Sequence, residues 1–319
     1  MSVLHVIDKA ELKALTTPSD WRAWWVTAVN FALIAAAFAL PAVWPHPLAW
    51  GVASIVLAGR ALGLGILTHD TAHLAFFHSR RMNEWAGTWL FGGLPNVPYR
   101  AYRKGHLEHH RTAGTANDPD LAFVHGYPAT RASLARKLLR DVSGINGVKN
   151  LVYQVQTFHW KTTAPFLVSH GVLFGTLWAL GVPQVYTCWW IGMVFVFPLL
   201  VRVRVMSEHG GVPDHLSRDP RENTGTTLAG PLGRLLIGPN RVNFHVEHHL
   251  AASVPSYQLP ALHRLLTQRG YYAHARCVAP SYWAVIRRCM AAYTSDRVDP
   301  TPAANLPRAR ARGMLDNMR

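Results

Sequence analysis

Three cysteines in 319 residues, Cys188, Cys277 and Cys289, are too few and too scattered to frame a disulfide scaffold or a Cys-x-x-Cys metal site. Any metal in this chain must be held by other donors. Acidic residues are also scarce, 17 against 32 Lys plus Arg, for a formal net charge of +15. Such a surplus raises the question of nucleic acid, but no helix-turn-helix, zinc finger or aromatic nucleic-acid platform accompanies it, and that class is set aside. The charge suits anionic headgroups and acidic protein partners instead. A small-residue cleavage pattern is missing after the first apolar run, which follows about twenty polar residues, so a cleaved signal peptide is not expected.

What the chain has in abundance is apolar sequence, 50% of the total, and it is concentrated in four blocks. Residues 23–44 and 48–67 form one pair, and residues 164–181 and 185–201 the other. Runs of this length, at 1.5 Å rise per residue, approach the roughly 30 Å of a bilayer's hydrocarbon core. The expectation is an all-α integral membrane protein with four transmembrane helices in two hairpins. The short links Trp44-Pro45-His46-Pro47 and Gly181-Val182-Pro183-Gln184 carry no Lys or Arg. By the positive-inside rule both hairpins then point outward, and both termini are cytoplasmic. A bacterial inner membrane is the expected location.

Residues 68–163 and 202–299 would form a cytoplasmic helical cap, giving one domain over 1–299. The segment 300–319, rich in Pro, Ala and Arg without apolar periodicity, is expected to be a flexible basic tail. Two shorter apolar stretches, Trp85 to Val97 and Leu228 to Pro239, are broken by Gly and Pro and are too short to span. They read as interfacial or buried packing segments. Arg60, inside the second block, reads as a headgroup anchor or a snorkelling side chain.

Of eighteen histidines, nine follow a pattern. His69 and His73 are spaced i, i+4. His106, His109 and His110 are spaced i, i+3, i+4, and His245, His248 and His249 repeat that spacing. His209 stands just beyond the fourth block. Residues three and four apart share a helix face, so each cluster is a prong of imidazoles aimed at one point. Aligning imidazoles gives a soluble helix nothing, and metal ligation is the chemistry that needs it. Nine nitrogens exceed the four donors of a structural zinc and are enough for two first-row ions. Imidazole alone does not choose among zinc, copper, iron and nickel. A two-metal centre at the mouth of a membrane bundle is, however, well placed to meet a lipid chain, and two irons activating dioxygen is the preferred reading.

The segments HDTAH, HLEHHRTAGTANDPD and NFHVEHHLAASVPSYQLPALH resemble the three histidine boxes of the membrane fatty acid desaturase superfamily, with acyl-lipid desaturases, hydroxylases, acetylenases and carotenoid ketolases among its members. The resemblance extends over roughly residues 20 to 270. It implies a non-haem di-iron centre, dioxygen as oxidant and two electrons from an external donor. Carried over by position, His69 and His73 match the first box, His106, His109 and His110 the second, and His245, His248 and His249 the third. His209 matches an additional ligand near the end of the last membrane helix. One departure is Val205, where stearoyl-coenzyme A type desaturases have an asparagine joined to the metal through water. That points away from the acyl-coenzyme A subgroup.

A ligating imidazole usually donates its other N–H to a carboxylate or carbonyl. Asp70, Glu108, Asp118, Asp120, Glu208, Asn243 and Glu247 lie within or beside the boxes and are the candidates to support the ligands. His5, His46, His78, His125, His159, His215, His263 and His274 read as surface or locally bonded groups. His170 lies within a span and either bonds a neighbouring helix or lines a substrate path.

No side chain removes hydrogen from an unactivated methylene, so a cofactor must carry that step. The expected function is desaturation of a fatty acyl or related lipid chain held in an apolar tunnel between helices. Hydroxylation or ketolation of a lipid or carotenoid, terminal desaturation, acetylenation and oxidative decarboxylation are alternatives on the same scaffold. From a different class, a membrane bis-histidine haem electron carrier would use histidines but show a Soret band. Neither a fused cytochrome b5 signature nor an iron–sulfur cysteine set is present. The electron donor is therefore expected to be a separate ferredoxin, rubredoxin or cytochrome b5, and an acidic one, or an acidic acyl carrier protein, would suit the basic face.

Overall fold

The computed structural model describes residues 3–124 and 126–290. The expected tail at 300–319 and His125 lie outside the described residues. Helices dominate, and among the described residues three are long and apolar enough to cross a membrane: Asp20–Val43, Pro47–Ala72 and Pro183–Gly210.

Helix α1 (Asp20–Val43) begins after the N-cap Ser19, with Asp20 in its first turn, where a negative charge meets the positive end of the helix dipole. It stops before Trp44-Pro45, because a proline disfavours helical geometry in the residue before it. Helix α2 (Pro47–Ala72) opens with proline in its first turn, and His46 Nδ1 accepts the Leu48 N–H at 3.2 Å as its N-cap. Small residues, Ala23 and Ala37 on α1 and Ala53 and Ala61 on α2, are buried in the shared core and let the hairpin close. Eighteen of the 26 residues of α2 are buried, including every position from Ile66 to Ala72, which makes it the central helix.

Helix α3 (Tyr99–Thr112) packs across the C-terminal end of α2. The last carbonyls of a helix have no partner within it. Here Tyr99 Oη donates to Thr71 O at 2.8 Å and Arg103 Nε to Ala72 O at 2.8 Å, which ties the second histidine segment onto the first.

Helix α4 (Trp160–Ala179) has 20 residues, but Lys161, Thr162, Thr163, Ser169 and His170 dilute its apolar run, and it is not among the three. His170 is buried and bonds outward at both nitrogens, to Tyr186 Oη at 2.7 Å and Leu94 O at 3.1 Å. The helical run α5 (Pro183–Gly210) extends nine residues past the expected end at Val201. It passes through wide π-helical turns at Gly192–Val196 and Met206–Gly210 and so carries Arg204, Glu208 and His209 on the same rod as the apolar residues. Where α5 crosses α2, a Cβ on Gly192 would lie 2.4 Å from Ser54 O, so only glycine allows that approach.

The short strand β1 (Thr226–Thr227) pairs in parallel with β2 (Val278–Ala279), Thr226 opposite Val278. Helix α6 (Pro231–Leu236), within the second short apolar stretch, lies against α2. Arg60 is 3% exposed, so its side chain is enclosed in the bundle and does not snorkel outward. Its Nη1 donates to Asn30 Oδ1 at 3.1 Å and its Nη2 to Leu235 O, because a guanidinium inside an apolar bundle must find acceptors there. Helices α7 (His245–Leu250) and α8 (Leu259–Gln268) complete the histidine-bearing part. Val246, Val254, Leu262 and Leu266 share a core with Val3 and Ile7 of the N-terminal segment.

Candidate metal centre

The nine patterned histidines come from four places in the chain: His69 and His73 at the end of α2, three from α3, His209 from α5 and three from α7. The fold brings them to one point. His69, His73, His106, His110 and His248 each offer a ring nitrogen within 4.8 Å of the others, and His109, His209 and His249 form a second such group. His245 belongs to neither set on that measure, yet its Nε2 lies 3.1 Å from His209 Nε2. The two groups adjoin: His109 and His110 are successive on α3, His248 and His249 on α7, and the rings of His110 and His249 stack at 4.4 Å.

Local structure explains the convergence. Both HxxHH segments are helical, as their spacing predicts. His73 departs slightly, since α2 ends at Ala72 and His73 serves as its C-cap. Its Nε2 nevertheless lies 2.7 Å from His106 Nε2. Gly114, at φ +75°, turns the chain after α3 where a Cβ would sit on Ser217 O, and the turn delivers Asp118 back to the helix it left.

The outer nitrogens fix the rings. His69 Nδ1 lies 3.0 Å from Asp70 Oδ1, His109 Nδ1 2.8 Å from Asp118 Oδ1, and His209 Nδ1 3.0 Å from Asn223 O. Each oxygen is an acceptor, so Nδ1 carries the proton and Nε2 faces inward with a lone pair. Asp118 is itself held by the Asp120 N–H at 2.9 Å, and Asp120 Oδ2 lies 3.7 Å from His109 Nδ1. Glu208 accepts from Arg204 Nε at 2.7 Å and stands 3.7 Å from His245 Nδ1.

The inward nitrogens approach one another: His110 to His106 at 3.1 Å, His248 to His110 at 2.9 Å and His109 to His249 at 3.3 Å. His69 Nε2 is buried with no hydrogen-bond partner. Burial holds His73 down to about 4 and His110 to about 2, and it keeps His106, His245, His248 and His249 well below the usual imidazole range. His109 goes the other way: burial lowers it, but its bond to Asp118 and the charge of Asp120 outweigh that and raise it. Neutral imidazoles with lone pairs converging in a buried space are the donor set that suits a transition-metal cation.

Three of the proposed supporting residues are placed elsewhere. Glu108 lies on the outer face of α3 and pairs with Arg111, at 2.9 Å from Nε, because i, i+3 neighbours on an exposed helix face meet more readily than a glutamate meets the core. Asn243 donates to Thr227 O at 2.9 Å and ties the third box to β1. Glu247 is fully buried but on the far side of α7 from its histidines, since successive helical residues diverge by 100°. It accepts from Thr226, His263 and Tyr272.

Sequence reasoning missed the Asn223 carbonyl, which has no side-chain signature, and Tyr102, whose ring stacks on His106 at 5.5 Å and 7°. The i−4 spacing of Tyr102 from His106 was the available signal for the latter. A small cavity lined by Gly114, Asp118, Asp120, His209, His215 and Asn223 adjoins the three-histidine group, with room for about one water molecule.

Apolar helices ending in a buried, multi-histidine, metal-compatible cluster define a membrane oxidoreductase of the histidine-box class. The chain belongs to the fatty acid desaturase family, whose pattern it matches over residues 45–281. It is 27% identical to the sphingolipid delta(4)-desaturase/C4-monooxygenase of Bos taurus over 82% of this chain and 79% of that one. It is 25% identical to an sn-1 oleoyl-lipid 12-desaturase of a Picosynechococcus species over 79% of each chain. A beta-carotene ketolase of a Paracoccus species is 26% identical over 81% of this chain and 96% of its own length.

Proposed function

We propose that His69, His73, His106, His110 and His248 hold one iron, that His109, His209, His249 and the adjoining His245 hold a second, and that the chain desaturates a fatty acyl or related lipid chain. The observation that carries this reading is the pair of adjoining imidazole groups with inward nitrogens 2.7 to 3.3 Å apart. When bound, iron would supply the activation of dioxygen and the removal of hydrogen from a methylene. The balance for desaturation is one dioxygen, two electrons and two protons consumed, two C–H bonds broken, one C=C bond formed and two waters released.

The protein's own groups set the stage for that chemistry. Asp70, Asp118 and the Asn223 carbonyl hold the imidazole tautomers and leave Nε2 free to ligate. Glu208, braced by Arg204, stands where it would orient His245. Burial of the imidazoles excludes bulk water and keeps them neutral. In this reading α4 is the fourth span, since Val168, Val172 and Trp178 face outward from it, and the histidine-bearing segments lie on the cytoplasmic side of a bacterial inner membrane. Electrons come from a separate acidic ferredoxin, rubredoxin or cytochrome b5, attracted by the net charge of +15. An acyl carrier protein is a candidate bearer of the substrate on the same ground.

The match to a carotene ketolase over nearly its whole length favours one second reading, oxygen insertion into a lipid or carotenoid. Mass spectrometry of lipids from cells expressing the chain separates the two. Products lighter by two hydrogens support desaturation, whereas products carrying one extra oxygen overturn it in favour of hydroxylation.

A further inference from the structure

Helix α7 carries three histidines yet has only six residues and no side-chain N-cap bond. A helix of one and a half turns does not hold itself together in water, so its orientation is set from outside. Orientation matters here because His248 joins the five-histidine group and His249 the three-histidine group. Rotating α7 by about 20° would swing a ring nitrogen by roughly 2 Å, many times the tolerance of a metal–nitrogen bond.

On the face turned away from both groups lies Glu247, 0% exposed, with three donors on one carboxylate. Thr226 Oγ1 donates to Oε2 at 2.5 Å, Tyr272 Oη donates to Oε1 at 2.5 Å, and His263 Nδ1 donates to the same Oε1. The donors come from β1, from α8 and from the turn after α8. Thr226 also accepts the Val246 N–H at 3.2 Å, and Thr227 N donates to Asn243 O at 2.9 Å, so β1 is laced along the backbone that leads into α7. The His263 ring packs against Phe244 at 5.0 Å and Tyr272 at 5.3 Å, which holds its orientation toward the carboxylate. A fully buried carboxylate is costly unless both its oxygens accept hydrogen bonds, and here three donors reach them, one on Oε2 and two on Oε1.

We infer that Glu247, gripped by Thr226, His263 and Tyr272, is a positioning residue that sets the rotation of α7 and thereby divides His248 and His249 between the two metal positions. His263, one of the histidines outside the boxes, belongs to this clamp rather than to the surface. The inference rests on the two-metal reading above.

The test uses the purified full-length chain loaded with iron-57, with iron per chain and Mössbauer doublets read beside helix content and melting temperature. The unsubstituted chain should bind two irons; if it does not, the two-metal reading has failed, and the variants are not needed to show it. Given two irons, Glu247→Ala should remain helical but hold about one iron or fewer, with iron affinity down about tenfold or more. Glu247→Gln, whose carbonyl still accepts, should recover part of that loss, and Tyr272→Phe should keep two irons with altered doublets. Two irons and unchanged doublets in Glu247→Ala would overturn the inference. So would iron loss that merely tracks the unfolded fraction in Glu247→Ala, with unaltered doublets in His263→Phe and Tyr272→Phe.

Discussion

His109 and His248 illustrate how far single residues can be read. Both sit in HxEHH segments with the same spacing, and that spacing alone places them on one helical face with two neighbours. What surrounds each ring differs: His109 leans on Asp118, nine residues on, while His248, on α7, has no carboxylate partner among the described residues. Asp118→Asn should therefore lower iron affinity about 10- to 100-fold with the chain still folded, and His248→Ala should abolish iron in the five-histidine group, both measurable as iron per purified chain. Unchanged iron content in either would contradict the assigned roles. The ligand candidates were legible because helical periodicity converts directly into a shared face. Their supports were less so: Asp70 and Asp118 were found by proximity, but the same reasoning named Glu108 and Glu247, whose directions depend on which face of α3 and α7 meets the core. The Asn223 carbonyl could not be found at all, since a backbone oxygen leaves no mark in sequence.

Among the elements, apolar length gave the locations of all four long helices, and the prolines at 45, 47 and 183 marked their breaks. Composition did not reveal that α5 runs on to Gly210. Its last residues include Arg202, Arg204 and Glu208, which end an apolar run but not a helix once Asp141 pairs with Arg202 and Arg204 with Glu208. The role of Arg60 was misread for a related reason, since a charge in a span was expected to seek the surface, and only the fold shows the Leu235 carbonyl and Asn30 waiting for it. The crossing of α5 over α2 depends on Gly192, where any Cβ meets the Ser54 carbonyl. Gly192→Leu should destabilise the chain by about 1 to 3 kcal/mol or more, seen as a lower melting temperature in detergent. Gly175→Ala on α4, where a Cβ meets nothing within 4 Å, should leave it nearly unchanged.

For the molecule as a whole, a formal net charge of +15, together with the proposed need for an external electron donor, predicts salt-sensitive electron delivery. Raising ionic strength from about 0.01 M to 0.15 M shortens the screening length from roughly 30 to 8 Å. With an acidic donor, kcat/KM for that donor should fall several-fold over this range while kcat at saturating donor changes little. A rate indifferent to salt would remove electrostatic attraction from the account. The most direct test of the proposed two-iron centre is anomalous X-ray scattering at the iron edge from crystals of the purified chain. The account predicts two iron peaks, one among His69, His73, His106, His110 and His248 and the other against His109, His209 and His249. A single peak, or two metals that scatter as zinc, would contradict it.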